Sequence, residues 1–233
     1  SYIAETLKTH SGKVDARRST EFKQLIRDMN SYQDSDFEIP GELNAELREY
    51  QKNGFRWLAM LSQWGFGGIL ADDMGLGKTL QVITLLEMKK EGALIVCPAS
   101  LVYNWESEIL RFAPDLTVKV AVGNSRQREE IIEHASKEDI LVTSYDLLKR
   151  DLDLYKEKAF PYMVIDEAQY IKNPATQAAK AVKEIPAVHR LALTGTPIEN
   201  RLSDLWSIFD FIMPGYLYSY KKFREELEQP IVQ

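Results

Sequence analysis

The sequence predicts an α/β domain of three layers, a mostly parallel central sheet covered by helices on both faces. Two observations carry this. Six short apolar runs, at 68–71, 93–97, 117–122, 139–143, 161–165 and 190–194, alternate with stretches of helical spacing. Polar, Gly- and Thr-rich turns follow those runs instead of preceding them. Buried strands alternating with helices require right-handed crossovers and hence a parallel sheet. Ligands of such sheets sit at the carboxyl ends of the strands, where these turns fall.

The elements follow in order. Residues 1–40 are polar, and Phe22, Leu25, Ile26 and Met29 make their one helical stripe. Asp34–Pro40 reads as a linker, and the stripe is too short to form a core alone. The expected division is therefore a helical extension and linker over 1–42 and an α/β domain over 43–233. From Asn44 onward, Leu47, Tyr50, Gly54, Trp57, Leu58 and Leu61 are expected on one helix face. The run at 68–71 then feeds Asp72–Thr79, Asp-Asp-Met-Gly-Leu-Gly-Lys-Thr, which opens into an amphipathic stretch, Leu80–Lys89.

That strand–loop–helix context is what a phosphate-cradling loop requires. Gly75 and Gly77 allow positive φ and close approach of the backbone to an anion. Successive N–H groups form a nest, and the helix start adds the positive end of its dipole. Lys78 would reach the β- and γ-phosphates, and the Thr79 hydroxyl would ligate Mg²⁺. Asp73, Met74, Leu76 and Leu80 complete the expected nucleotide-binding segment. The strict Gly-x-x-x-x-Gly-Lys-Thr pattern departs at its first glycine, where Asp72 stands. Gly75 and Gly77 must do the bending.

Further along, Leu101–Phe112 and Arg126–Ala135 have helical spacing. Asn173-Pro174 reads as a helix start, with a capping Asn and Pro at the first position. The apolar run Tyr162–Ile165 delivers Asp166-Glu167-Ala168-Gln169 at its carboxyl end. An acid there matches the second Mg²⁺-holding position of phosphate-loop enzymes. Asp166 would hold the ion through water, because Mg²⁺ keeps much of its hydration shell. Glu167 is placed to take a proton from the attacking water. Other polar turns are Pro98–Trp105, Thr143–Tyr145 and Leu193–Pro197. Together at one sheet edge they point to a composite site.

Composition narrows the class. Of 233 residues, 45% are hydrophobic, an ordinary share for a globular domain with a real core. No apolar run approaches a membrane span, and the first residues lack the pattern of a secretory signal. A single cysteine, Cys97, excludes an internal disulfide framework, fits a reducing compartment, and sits in an apolar run as a packed residue. Three scattered histidines make no zinc pattern. A net charge of −6 excludes a broad basic face, though not nucleic acid held in a local cleft.

The ordered set of motifs resembles the helicase-like ATPases of superfamily two, most closely the SWI/SNF remodelling family. The resemblance covers about residues 43–233. It rests on Leu47-Arg-Glu-Tyr-Gln-Lys-Asn-Gly54 with Trp57-Leu58, Asp73-Met-Gly-Leu-Gly-Lys-Thr79-Leu-Gln81, Cys97-Pro98 with Asn104-Trp105, Thr143-Ser-Tyr145, Asp166–Gln169 with Lys172-Asn173, Leu193-Thr-Gly-Thr-Pro-Ile-Glu-Asn200, and Asp204-Leu-Trp206 leading to Phe211 and Pro214-Gly215. It implies a RecA-like lobe that binds ATP with Mg²⁺. Gln51 would read the adenine edge. Gln169 stands where many members have histidine and would link the hydrolytic site to Thr194 and Thr196, which couple nucleotide state to lobe motion. Asn104, Trp105, Ser144 and Tyr145 lie in segments that line the DNA path.

Members of the family have a second RecA-like lobe that supplies arginine fingers. No such arginine motif follows here, so the resemblance implies a first lobe that binds nucleotide but turns over poorly by itself, an arginine finger being worth about a thousandfold or more. The implied partners are double-stranded DNA, a second lobe in cis and a DNA-bound protein substrate, with no membrane. The implied location is intracellular: cytoplasm or nucleoid in a bacterium, nucleus in a eukaryote. Two other classes fit parts of the pattern. A non-catalytic, nucleotide-gated interaction module does not need Glu167. A small-molecule phosphotransferase does not need Gln51 or the Thr-Gly-Thr-Pro run.

Overall fold

A computed structural model describes residues 37–71, 75–195, 202–217 and 219–224. Contacts group the chain into two units, Ser1–Glu38 and Ile39–Gln233, and the sheet belongs to the second. The stripe at Phe22–Met29 lies outside the described residues.

Six strands form the sheet: β1 (Gly68–Leu70), β2 (Ala93–Cys97), β3 (Val118–Val120), β4 (Ile140–Ser144), β5 (Phe160–Ile165) and β6 (Ala187–Leu193). Their order is β1-β6-β5-β2-β4-β3 and every pairing is parallel. All six expected apolar runs are strands. The central strands β2 and β4 are buried at every residue, which is why they read as continuous apolar runs and not as alternation. Cys97 ends β2 with no exposure, and burial pushes its thiol up to about 12. It is a packing residue and not a nucleophile.

The principal helices are α1 (Glu49–Gln63), α2 (Lys78–Lys89), α3 (Val102–Phe112), α4 (Ser125–Glu133), α5 (Tyr145–Arg150), α6 (Leu152–Lys156), α7 (Gln177–Glu184), α8 (Leu202–Ile212) and α9 (Tyr220–Phe223). Their starts follow local chemistry. Asn124 and Gln127 form a reciprocal capping box on α4, and Ser144 Oγ accepts from Leu147 N on α5.

Two sequence expectations need correction. The start of α7 is Thr176, whose hydroxyl accepts from Ala179 N, and not Asn173. Asn173 instead accepts from Ala175 N within a turn, a two-residue local bond that competes with a helix cap. The expected face of α1 is buried only in part. Leu58 and Leu61 are buried, together with Gln51, Phe55, Ala59 and Ser62, while Tyr50 and Trp57 are exposed. Burial is deepest at Phe55, Leu58 and Ala59, and α1 packs on α2 and β1.

One buried ion pair closes the β3–β4 side of the domain. The Arg128 guanidinium donates to both carboxylate oxygens of Asp151, at 2.6 and 2.8 Å, and to Gly123 O at 2.6 Å. Both residues are buried. Removing one partner leaves the other charge uncompensated, which typically costs about 3–5 kcal/mol. Asp151→Ala is therefore expected to lose that much stability in urea denaturation. A loss under about 1 kcal/mol would mean that water takes over the guanidinium.

Candidate nucleotide site

β1 ends at Leu70, and the chain turns through Gly75 (φ 84) and Gly77 (φ 72) into α2. Both glycines sit in the left-handed region that other residues avoid. The residue at the cap of α2 is Gly77, which has no side chain with which to cap the first turn. Among the described residues, a Cβ at Gly75 would meet nothing within 4 Å. A Cβ at Gly77 would run into Gln51 Nε2. Lys78, Thr79 and Leu80 are half-buried in the first turn, and Leu76 is half-buried just before it. Asp73 and Met74 lie outside the described residues.

Gln51 is seated against this loop by both ends of its amide. Its Oε1 accepts from Arg48 N at 2.9 Å and its Nε2 donates to Leu76 O at 3.3 Å. It thus ties the start of α1 to the turn between the two glycines. Gln81, one turn into α2, is wholly buried and donates to Gly77 O at 3.5 Å.

β5 ends at Ile165, and Asp166 follows it directly; the Asp166 N–H donates to Val96 O of β2 at 2.8 Å. Both oxygens of its carboxylate are engaged. Oδ1 accepts from Glu167 N at 2.8 Å, and Oδ2 accepts from the Trp105 indole Nε1 at 2.9 Å. Burial raises the Asp166 pKa from its ordinary value. The two donated bonds oppose that rise, the Glu167 charge adds to it, and the Lys78 charge lowers it. That Lys78 acts on Asp166 electrostatically is consistent with the two motifs converging on one site.

Glu167 follows with φ 52 and ψ 57, a left-handed conformation for a residue with a side chain. Such strain costs about 1–2 kcal/mol and clusters at functional positions. Its Oε2 accepts from Gln169 Nε2 at 2.6 Å, and Gln169 Oε1 accepts from Thr194 Oγ1 at 3.2 Å. Thr194 N in turn donates to Leu70 O at 3.1 Å. One hydrogen-bonded run therefore joins Glu167, Gln169 and Thr194 to the end of the strand that feeds the phosphate loop. Thr196 lies outside the described residues.

The residues fit Mg²⁺ and nucleotide. A helix start behind two left-handed glycines has the backbone form that suits an anion. A hydroxyl in that first turn and one carboxylate opposite make the hard oxygen set that Mg²⁺ takes when phosphates and water complete its shell. Among the described residues, no group of three or more His, Cys, Asp or Glu could hold a metal, so a softer or all-protein metal site has no basis there.

The four residues expected on the DNA path separate. Asn104 is exposed on the first turn of α3, donating to Glu108 at 3.2 Å. Trp105, Ser144 and Tyr145 are buried. Ser144 caps α5, and Tyr145 donates its hydroxyl to Asp166 O at 2.8 Å. These three side chains are correspondingly not surface contacts, because their polar atoms are spent inside the domain. Sequence reasoning missed the Trp105–Asp166 bond. The spacing of Val102, Trp105 and Ile109, all buried, was the available signal that Trp105 faces inward.

The family model of the SNF2-related domain matches residues 50–233. The TATA-binding protein-associated factor MOT1 of Saccharomyces cerevisiae is 42% identical over 231 residues, which is 92% of this chain and 12% of that protein. An uncharacterized ATP-dependent helicase of Mycoplasma pneumoniae is 42% identical over 236 residues, 98% of this chain and 23% of that protein. The Sulfolobus solfataricus SWI2/SNF2 ATPase core, solved in complex with double-stranded DNA, superposes with a TM-score of 0.76 at 44% identity, covering 84% of this chain and 42% of that one. The chain thus spans only a fraction of the length of each relative it matches.

Proposed function

This chain belongs to the SNF2-related family of SWI/SNF-type, helicase-like ATPases, and from that premise we propose that it is the ATP-binding lobe of a DNA-dependent motor that couples hydrolysis to translocation on duplex DNA or to remodelling of DNA-bound protein. The observation that carries the reading is the hydrogen-bonded run Glu167–Gln169–Thr194. A module that only sensed nucleotide would need the phosphate loop but not a carboxylate held by a relay that leads to the neighbouring strand end.

In this reading Gly75–Thr79 holds the phosphates and Gln51 faces the adenine, exchanging its present bonds for the base edge. Thr79 and Asp166 would hold Mg²⁺, which would supply positive charge against the phosphates. Lys78 stabilises charge that grows on the transferred phosphoryl group. Glu167 accepts the proton of the attacking water, and Gln169 holds its carboxylate in place from Oε2. Thr194, with Thr196 downstream, passes the state of that carboxylate to the β6 end. A second lobe in cis would supply an arginine to the transferred phosphoryl group. DNA contact falls to exposed strand-end groups such as Asn104. The location that suits such a motor is intracellular, in the nucleoid or the nucleus. Among the described residues no helix is long and apolar enough to cross a membrane.

The test is hydrolysis by the full-length protein with and without duplex DNA of unrelated sequences. Stimulation by every duplex supports the motor. With a net charge of −6, binding by this lobe is expected to be weak and its salt dependence shallow, because each neutralised phosphate adds a slope of only about −0.9 in log affinity against log salt. A strong sequence preference, or hydrolysis indifferent to DNA, would refute the reading, since phosphate contacts carry no base information.

A further inference from the structure

We infer that Trp105 is a positioning residue for the metal-holding acid and the link through which DNA on helix α3 reaches it. The inference rests on the proposed motor function, because it takes α3 as a DNA-facing element.

The geometry is specific. Trp105 is buried to 1% exposure, yet its one polar atom is used, donating to Asp166 Oδ2 at 2.9 Å across 61 residues of sequence. Glu167 N occupies the other oxygen at 2.8 Å. Two donors, one on each oxygen, fix the plane of the carboxylate and still leave each oxygen a lone pair facing away. An indole N–H can only donate, so it selects the ionised acid and cannot adapt to the protonated one by turning round. From the other side, the Tyr145 hydroxyl donates to Asp166 O at 2.8 Å, and its ring stacks at 5.0 Å on Tyr170, which is exposed three residues beyond Glu167. Asp166 is thus held at its carboxylate by α3 and at its carbonyl by α5.

The same helix turns its neighbours outward. Tyr103 is 60% exposed and Asn104 is exposed, two and one residues before Trp105 respectively. In a helix these directions are rigidly related, so any displacement of the exposed first turn of α3 moves the indole with it. The interior is close-packed and transmits such a shift instead of absorbing it. Partners of a metal ligand that lie one bond back commonly alter metal affinity or activity by about 10–100-fold when changed. Trp105 therefore does two things the core does not require: it orients Asp166 toward Mg²⁺, and it makes that orientation sensitive to what touches Tyr103 and Asn104.

The variants are Trp105→Phe, which keeps most of the packing and removes the N–H, and Tyr145→Phe, which removes one hydroxyl. In the full-length protein, equilibrium binding of a fluorescent ADP analogue is measured across Mg²⁺ concentrations, with and without duplex DNA, alongside thermal melting and DNA anisotropy. No turnover is involved. In the wild type, DNA is expected to shift the Mg²⁺-dependent part of nucleotide affinity by roughly fivefold or more. Trp105→Phe should need about tenfold more Mg²⁺ for the same nucleotide affinity, keep its Mg²⁺-free affinity and its DNA affinity, and lose most of the DNA shift. A folded Trp105→Phe with wild-type Mg²⁺ dependence and an intact DNA shift overturns the inference. If that variant does not fold, Tyr145→Phe decides: a raised Mg²⁺ requirement supports the brace on Asp166, and an unchanged one overturns it. A wild type that binds no DNA in the same titration would instead refute the motor reading, and the coupling with it.

Discussion

Lys78→Ala is expected to abolish hydrolysis by the full-length protein and to weaken nucleotide binding by this lobe. Lys78 opens α2 directly behind the two left-handed glycines, and its charge already acts on Asp166. It is the cation that the sequence places in the phosphate loop. Loss of one such group at the reacting phosphoryl costs about a hundredfold or more in turnover. Titration with a fluorescent ATP analogue, paired with phosphate release, checks both halves. Unchanged affinity together with unchanged turnover would sink the assignment of this loop.

Glu167→Gln separates binding from chemistry. The amide carbonyl can still accept from Gln169 Nε2, so the link to Thr194 survives, but the proton acceptor is gone. Loss of a general base typically costs on the order of a hundredfold or more. The full-length variant is expected to hold ATP and Mg²⁺ at near wild-type affinity and to hydrolyse slowly, seen as retained nucleotide in a filter assay and a depressed single-turnover rate. A variant that turns over at the wild-type rate would make Glu167 a helix-start acid. Its left-handed backbone, φ 52, would then need a different explanation.

Much of this was legible in the chain. All six strands appear in the sequence because a parallel sheet covered on both faces needs apolar runs, and β2 and β4 are buried at every position. The phosphate loop is legible because its chemistry is local. Gly75, Gly77, Lys78 and Thr79 act within one turn of chain, and no distant partner is needed to recognise them. The face of α1 was less legible. Tyr50 and Trp57 are apolar enough to suggest a core stripe, but they are 38% and 37% exposed, because amphipathic aromatics serve at a surface as well as in a core. The start of α7 was misread for a related reason. Asn173 and Thr176 are both good capping residues, and the backbone of the 173–176 turn selects between them.

The sequence by itself determined the fold class, the family, the phosphate loop and the pair Asp166-Glu167 at a strand end. Each is a matter of residue order and short spacing, which the chain carries directly. Only the tertiary structure decided what those residues rest on. The bond from Trp105 to Asp166 crosses 61 residues, that from Gln51 to Leu76 crosses 25, and the Gln169–Thr194 link crosses 25. Such contacts depend on strand order and register, which bring β5 between β2 and β6 and align their carboxyl ends. The same assembly turned Trp105 and Tyr145 from expected DNA-path residues into buried supports of Asp166. A side chain with one polar atom and a large apolar ring is driven inward wherever the fold offers that atom a partner, and here Asp166 is the partner.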